Sequence, residues 1–386
     1  MTGFNTSSGF GRGFGVYLHW PYCARVCPYC DFNVYAAKAR DTAPLFDAIL
    51  KDLDGWRARS GERSVDTVFF GGGTPSLMTG SQVTQALEKI DMLWGIKSGA
   101  EVTLEANPDD HACFADFAAA GVNRLSLGVQ SLDGAPLKFL GRTHSAADAI
   151  AAFRQTQGKF RSVSLDLIYA LPGQTLDQWR AELARTLALG PDHLSLYELS
   201  IEPGAAFAKA VQRRDWAPMD DELCADLYEL TQEMADKAGY PAYEISNHAR
   251  GPAHESAHNR IYWASGDWAG VGPGAHGRLT IGDQRIATHA EDNPGAYLKQ
   301  VDASGVGWAE DEMLNALAQA RERVAMGLRV KEGLALRDIS ELGFQPDVSR
   351  IAEFESLGLL THANGRIVLT VKGRLAADRI AAELAP

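Results

Sequence analysis

The chain has 386 residues, 46% of them hydrophobic and 22% charged, enough for one large globular domain and a smaller second one. Its net charge of −12, with no run of like charges, argues against sequence-independent binding to nucleic-acid phosphates. No stretch of about 18 apolar residues predicts a transmembrane helix. Five cysteines are an odd count for a disulfide framework, and the Gly/Ser-rich residues 1–14 lack the apolar core of a signal peptide. Together these features predict a flexible leader over 1–14 and a cytoplasmic protein; peripheral contact with a membrane surface is compatible with them.

Short apolar or β-branched runs at 16–20, 67–70, 102–105, 124–127, 163–168 and 194–199 each precede a segment of helical periodicity. Those segments are approximately 42–59, 81–94, 111–119, 146–157, 176–188 and 220–238. Strand–helix units in series predict a parallel sheet flanked by helices, either an open doubly wound sheet or a barrel. The pattern changes after about Gly239: residues 241–305 read as a loop-rich connecting region. In it, Gly270-Val-Gly-Pro-Gly-Ala275 matches the letters of a dinucleotide-binding loop, but no clear strand precedes it and Pro273 interrupts it, so it reads as a turn. Helices over 313–327 and 348–357, a hairpin over 359–369 with Asn364-Gly365 suited to a type I′ turn, and a last helix over 374–384 predict a winged-helix-type α+β domain at 306–386. Lys372, Arg374 and Arg379 do not make the strong basic face that DNA reading requires.

Three cysteines, Cys23, Cys27 and Cys30, fall in Trp20-Pro-Tyr-Cys-Ala-Arg-Val-Cys-Pro-Tyr-Cys-Asp-Phe32, directly after the first predicted strand. A C-x3-C-x2-C spacing lets three thiolates converge on one inorganic centre. A closed zinc site wants four protein ligands, and the fourth would have to come from His19, Asp31, Cys113 or Cys224. A cube of four irons and four sulfides held by three cysteines instead leaves one iron open to a further ligand. Other motifs also follow strand ends, the ligand-binding end of parallel α/β sheets. Gly71-Gly-Gly-Thr-Pro75 is either a tight turn or a place where main chain approaches a ligand, and it lacks the Gly-Lys-Ser/Thr of a phosphate loop. Glu105 and Asp166, taken alone, read as strand-end salt bridges, and Arg142 as either an anion contact or a solvated charge.

These motifs, with Tyr17, Leu104-Glu-Ala-Asn-Pro108, Ser126-Leu-Gly-Val-Gln-Ser131, Leu140-Gly-Arg-Thr-His144, Leu165-Asp-Leu-Ile-Tyr-Ala-Leu-Pro-Gly173 and His258-Asn-Arg-Ile-Tyr-Trp263, resemble the oxygen-independent coproporphyrinogen oxidase-like branch of the radical S-adenosylmethionine (SAM) proteins. Within it they resemble the heme chaperone family. The resemblance implies a partial (β/α)6 barrel over 15–240, a [4Fe–4S] cluster on Cys23, Cys27 and Cys30, and SAM chelating the open iron. Tyr17, Gly72 and Glu105 would contact SAM, with Gly73 beside them. Thr74, Gln130, Arg142 and Asp166 would line the adjoining pocket. The oxidases carry a further cysteine two residues after the third, where this chain has Phe32. That departure favours heme binding and hand-over to an acceptor protein, with an electron donor for the cluster. The alternative is decarboxylation of coproporphyrinogen III, and the weakest reading is a winged-helix interaction protein with a zinc site. Without the resemblance His258 reads as a hydrogen-bonded structural residue; with it, as an axial heme ligand, with His248 and His276 as competitors.

Overall fold

The computed structural model describes residues 13–37 and 41–386, so all but the last two positions of the expected leader lie outside the described residues. Each predicted strand–helix unit forms. β1 (Phe14–Trp20) leads to α1 (Ala43–Ser60), β2 (Val65–Gly72) to α2 (Gly80–Trp94), and β3 (Ile96–Ala106) to α3 (Phe114–Ala120). β4 (Arg124–Gln130) leads to α4 (Ala146–Thr156), β5 (Ser162–Tyr169) to α5 (Leu176–Leu189), and β6 (His193–Glu198) to α6 (Asp221–Lys237). Three of these helices start where the sequence supplies reciprocal caps: Thr79 with Gln82, Ser145 with Asp148, and Thr175 with Gln178. Each pair satisfies backbone donors that the first helical turn leaves unpaired.

The expected loop-rich stretch contains strands that join the same sheet. After β7 (Asn247–Ala249) and helix α7 (Ala257–Trp263) come β8 (Asp267–Val271), β9 (His276–Ile281) and β10 (Gln284–His289). Helix α8 (Pro294–Ser304) and β11 (Glu312–Leu314) follow. The result is an 11-stranded sheet in the order β11-β10-β9-β8-β1-β2-β3-β4-β5-β6-β7. β8 and β1 to β6 run parallel, and the outer strands are antiparallel. The reading of Gly270–Ala275 as a turn is therefore corrected. Gly270 and Val271 end β8, with Gly270 opposite Tyr17, and only the following residues turn, closed by Ala275 N–H donating to Gly272 O at 3.1 Å. Glycines at 266 and 270 hid this strand, because its stability comes from pairing on both sides and not from its own propensity. A side chain at 270 has no room: a Cβ there would lie 2.0 Å from the carbonyl oxygen of His276.

The main core fills the layers between sheet and helices, with Val16, Leu53, Trp56, Val68, Phe70, Leu104, Leu127, Leu165, Trp179 and Leu194 buried in it. Both faces of the parallel strands are covered, which is why the strands read as near-continuous apolar runs. A second apolar cluster, including Val324, Ile339, Ile351, Phe354, Ile367 and Ile380, is the core of the C-terminal α+β unit. There α9 (Ala316–Arg329) and α10 (Val348–Ser356) pack with a hairpin of β12 (Leu360–Ala363) and β13 (Arg366–Leu369) and a last helix, α11 (Ala377–Leu384). Asn364 and Gly365 both have positive φ, 53° and 70°, as a type I′ turn requires. Arg260 on α7 forms a two-pronged ion pair with Glu332, and Lys331 pairs with Glu255, tying this unit to the large sheet.

Candidate active site

Beyond the carboxyl ends of β2 to β6 lies a cavity of about 540 Å³. Its floor is built by alternation. In a strand every second side chain faces the same way, and Thr103 and Glu105 on β3, Arg124 and Ser126 on β4, Asp166 on β5, and His193, Ser195 and Tyr197 on β6 all line it. Gln130 joins them at an irregularity where β4 shifts register between Leu127 and Gln130, and its φ of 64° is rare for a residue with a side chain. Such bulges re-aim side chains near sites.

One rim is the cysteine loop. Its ends are held by the short parallel pair Tyr22–Cys23 and Tyr35–Ala36, with Tyr22 opposite Tyr35. Asn33 donates from Nδ2 to the carbonyls of Pro273 and Asp292 at 2.9 and 2.8 Å, and the Phe207 N–H donates to Pro28 O at 2.9 Å. Cys23, Cys27 and Cys30 all border the cavity. Arg142 Nη1 donates to Cys27 Sγ at 3.5 Å, and its Nη2 to Gly128 O at 3.1 Å and to Asn107 Oδ1. Burial raises the Cys23 thiol, against the Thr74 hydroxyl that lowers it, and pushes Cys30 up to about 11. Among the described residues no three His, Cys, Asp or Glu side chains are grouped as a single metal ion needs. The three thiols border one cavity, and the Arg142 guanidinium beside Cys27 complements thiolate charge.

The glycine run does two things. Gly72 and Gly73 line the cavity, whereas a Cβ at Gly71 would strike the Tyr17 ring at 2.8 Å. Gly73 N–H donates to Trp20 O and Thr74 N–H to Tyr22 O, at 2.7 and 2.9 Å, so the run is stitched to the start of the cysteine loop. Gly72 N–H donates to Glu105 Oε2 at 3.1 Å. Desolvation, then repulsion from Asp166, raises the Glu105 carboxyl to about 8. Thr103 Oγ1 is buried at the cavity wall without a partner. A buried carboxyl with one backbone donor and an orphaned hydroxyl are what a polar ligand would satisfy.

The structure thus brings Cys23, Cys27, Cys30, Gly72, Gly73, Thr74, Glu105, Gln130, Arg142 and Asp166 around one cavity. It does not bring Tyr17 or His258 to its lining. Tyr17 lies behind Phe69, with its OH 3.1 Å from His19 Nδ1. His258 is 1% exposed, sealed between Phe69 and Tyr262, its Nδ1 2.7 Å from Thr67 Oγ1 and its Nε2 2.7 Å from Tyr262 OH. Burial lowers it to about 3, so it is neutral and both nitrogens are engaged. Sequence reasoning passed over Asn107, Arg124, Ser126, His193, Ser195 and Tyr197. The signal was present, since polar residues alternate within apolar strands there.

The chain matches the model of the Radical SAM superfamily over residues 17–185 and that of the HemN C-terminal domain over 314–376. It is 36% identical to the heme chaperone HemW of Mycobacterium tuberculosis, over 96% of this chain and 94% of that one, and 41% identical to HemW of Escherichia coli, over 70% and 71%. It is 39% identical to the mitochondrial radical S-adenosyl methionine domain-containing protein 1 of Bos taurus, over 89% and 81%. In fold it is similar to the E. coli coproporphyrinogen III oxidase HemN, with a TM-score of 0.82 and 23% identity over 97% of this chain and 90% of the other. Superfamily membership implies a [4Fe–4S] cluster and SAM, which suits the three-thiol rim and the unsatisfied groups of the cavity. With relatives of this identity along nearly its whole length, the chain belongs to the heme chaperone HemW family of the radical SAM superfamily.

Proposed function

We propose that the protein binds heme as cargo and passes it to an acceptor protein, carrying a [4Fe–4S] cluster on Cys23, Cys27 and Cys30 with SAM at its open iron. The observation that carries this over the oxidase reading is Phe32: it occupies the position two after Cys30 and is 59% exposed at the cavity rim. The names of the related HemW proteins support the same reading. The cluster, when bound, supplies low-potential electrons and a coordination site for an amino acid's amine and carboxylate. The chain's own residues do the rest. Glu105 accepts a hydrogen bond from the ligand's amino group, Gly72 and Gly73 let the main chain come close, and Thr74, Gln130 and Asp166 face the nucleoside. Arg142 holds Cys27 and the β4 end in register. Electrons come from a separate donor protein, and the site of action is the cytoplasm; among the described residues no helix is long and apolar enough to cross a membrane.

A cargo iron needs an imidazole nitrogen that reaches solvent. His258 offers none without losing Thr67 or Tyr262, which supports a structural role for it, and His248 is equally buried. His276 and His289 are exposed on adjacent strands and stacked with centroids 4.1 Å apart. We therefore place the axial ligand on this pair. Anaerobic reconstitution followed by heme titration tests the reading: a Soret band in the wild type, weakened in His276→Ala/His289→Ala, and transfer to an apo-acceptor are expected. Robust conversion of coproporphyrinogen III to protoporphyrinogen IX would establish the oxidase instead.

A further inference from the structure

Through the cavity floor runs a chain of hydrogen bonds that begins at a backbone donor. The backbone N–H of Ser256, the N-cap of α7, can only donate, and it does so to Tyr243 OH at 3.2 Å. Tyr243 OH lies 2.9 Å from His193 Nε2, and we assign the hydroxyl proton to that contact. His193 is deeply buried beside Arg124, both of which keep the ring neutral, so the remaining ring proton sits on Nδ1. In that tautomer Nδ1 donates to Ser164 Oγ at 2.8 Å and Ser164 donates to Asp166 Oδ1 at 2.7 Å, with Ser195 Oγ 3.1 Å from Ser164 Oγ as a further hydroxyl partner. Ser126 donates to the other oxygen, Oδ2, also at 2.7 Å. Tyr243 and His193 are buried, and Asp166 borders the cavity.

With this tautomer every link points its proton toward Asp166. Burial favours the protonated carboxyl there, and Glu105 stands nearby as a like charge, with Arg124 as the opposing cation and Tyr197 as a neutral neighbour. Hydrogen bonds from Ser164, Ser126 and Ser195 favour the carboxylate. Each oxygen keeps acceptor capacity after its serine bond. What such a carboxylate recognises is a pair of adjacent hydroxyl donors.

We propose that His193 is a positioning residue: through Ser164 it holds Asp166 as a proton-free acceptor of two hydrogen bonds from a vicinal diol, the ribose of SAM. The inference rests on the SAM reading of the cavity and is independent of the cargo. Without the Nδ1 donor, Ser164 is free to turn its proton away, and Asp166 takes up a proton that spoils one of its two acceptor positions.

The test compares binding of SAM and of its 2′,3′-dideoxy analogue to the anaerobically reconstituted protein. In the wild type, loss of the diol weakens binding about tenfold, as for hydrogen bonds to a charged group. His193→Phe binds SAM about tenfold more weakly and no longer distinguishes the two ligands, while the cluster absorbance is unchanged; His193→Asn, which keeps a donor near Nδ1, restores the discrimination. Ser164→Ala behaves like His193→Phe and guards against a folding defect in the larger change. A diol penalty that survives in both His193→Phe and Ser164→Ala overturns the relay, as does an Nε2–H tautomer of His193 in nitrogen-15 spectra. A wild type that binds SAM without regard to the diol overturns the role of Asp166, and one that binds no SAM overturns the cavity reading and the inference with it.

Discussion

The cysteine loop and helix α7 both carry residues that point to cofactor or cargo chemistry, and they are built in opposite ways. The loop between Trp20 and Tyr35 has few main-chain bonds of its own, leaves Cys27 and Cys30 partly exposed, and presents its thiols to an open cavity. In α7, His258 and Arg260 are buried and their polar tips have protein partners, Thr67 and Tyr262 for His258 and Glu332 with Glu255 for Arg260, whereas Trp263 Nε1 on the same helix is buried without one. The His258 N–H also donates to the buried Glu101 at 3.1 Å. Unspent donors and acceptors mark a place waiting for a ligand; saturated ones mark a joint. By this criterion the cysteine loop is open to a ligand, while His258 is engaged and Arg260 of α7 fastens the C-terminal unit to the sheet.

The largest effect expected from this contrast is at the loop. Cys27→Ser should remove the cluster, measured as iron content and visible absorbance after anaerobic reconstitution. Cys113→Ser and Cys224→Ser should keep it, because neither lines the cavity. The reverse pattern would mean that the loop is not the ligand set.

Next comes Glu105→Gln, which should retain iron but weaken SAM binding about tenfold through loss of a charged acceptor. Wild-type affinity should also depend on pH with a definite sign. A carboxyl held up to about 8 is mostly protonated at neutral pH, whereas the bound ligand's amino group needs it ionised, so affinity rises with pH toward 8 and then levels off. The glutamine variant should lose that slope. An identical slope in both proteins would place the titration elsewhere.

Much of this architecture could be read from the sequence. Periodicity located every strand of the parallel series from β1 to β6, because each carries a short apolar or β-branched run. The cysteine spacing and the motifs after strand ends pointed to one end of the sheet, and the cavity is there. Two things escaped. β8 is a weak strand alone, stable only between β1 and β9. The saturation of His258 depends on Thr67, 191 residues away, and Glu101, 157 away, and no local pattern shows such partners. Polar residues such as Arg124 and His193 were submerged in strands that looked apolar, although their spacing of two was visible.

A smaller effect, on stability, separates site from joint. His258→Ala should lower stability by about 2–4 kcal/mol, from a lost buried ring and unpaired partners, followed by thermal or urea unfolding. Wild-type stability should also fall with acid. His258 and His248 are lowered to about 3 and about 4, so their contribution is complete above the unfolded value near 6.5 and is lost as the pH drops toward those values. His258→Gln should flatten that decline. If His258→Ala abolished the heme spectrum with no change in unfolding, α7 would be a ligand site and not only a joint.

The smallest effect is expected farthest from both regions, at the hairpin turn of the C-terminal unit. Gly365 has φ 70°, and a Cβ there would meet nothing within 4 Å, so Gly365→Ala costs only backbone strain, about 1 kcal/mol. The melting temperature should fall by a few degrees while iron content and SAM affinity stay at wild-type values. The outcome bears on how α7 works. Its ion pairs to Glu332 and, through Glu255, to Lys331 fasten the C-terminal unit to the sheet close to Ser256, which also borders the cavity. If loosening a distant turn changed SAM affinity, strain would be crossing that joint into the cavity floor; an unchanged affinity means the joint holds the two bodies together without passing local disorder between them.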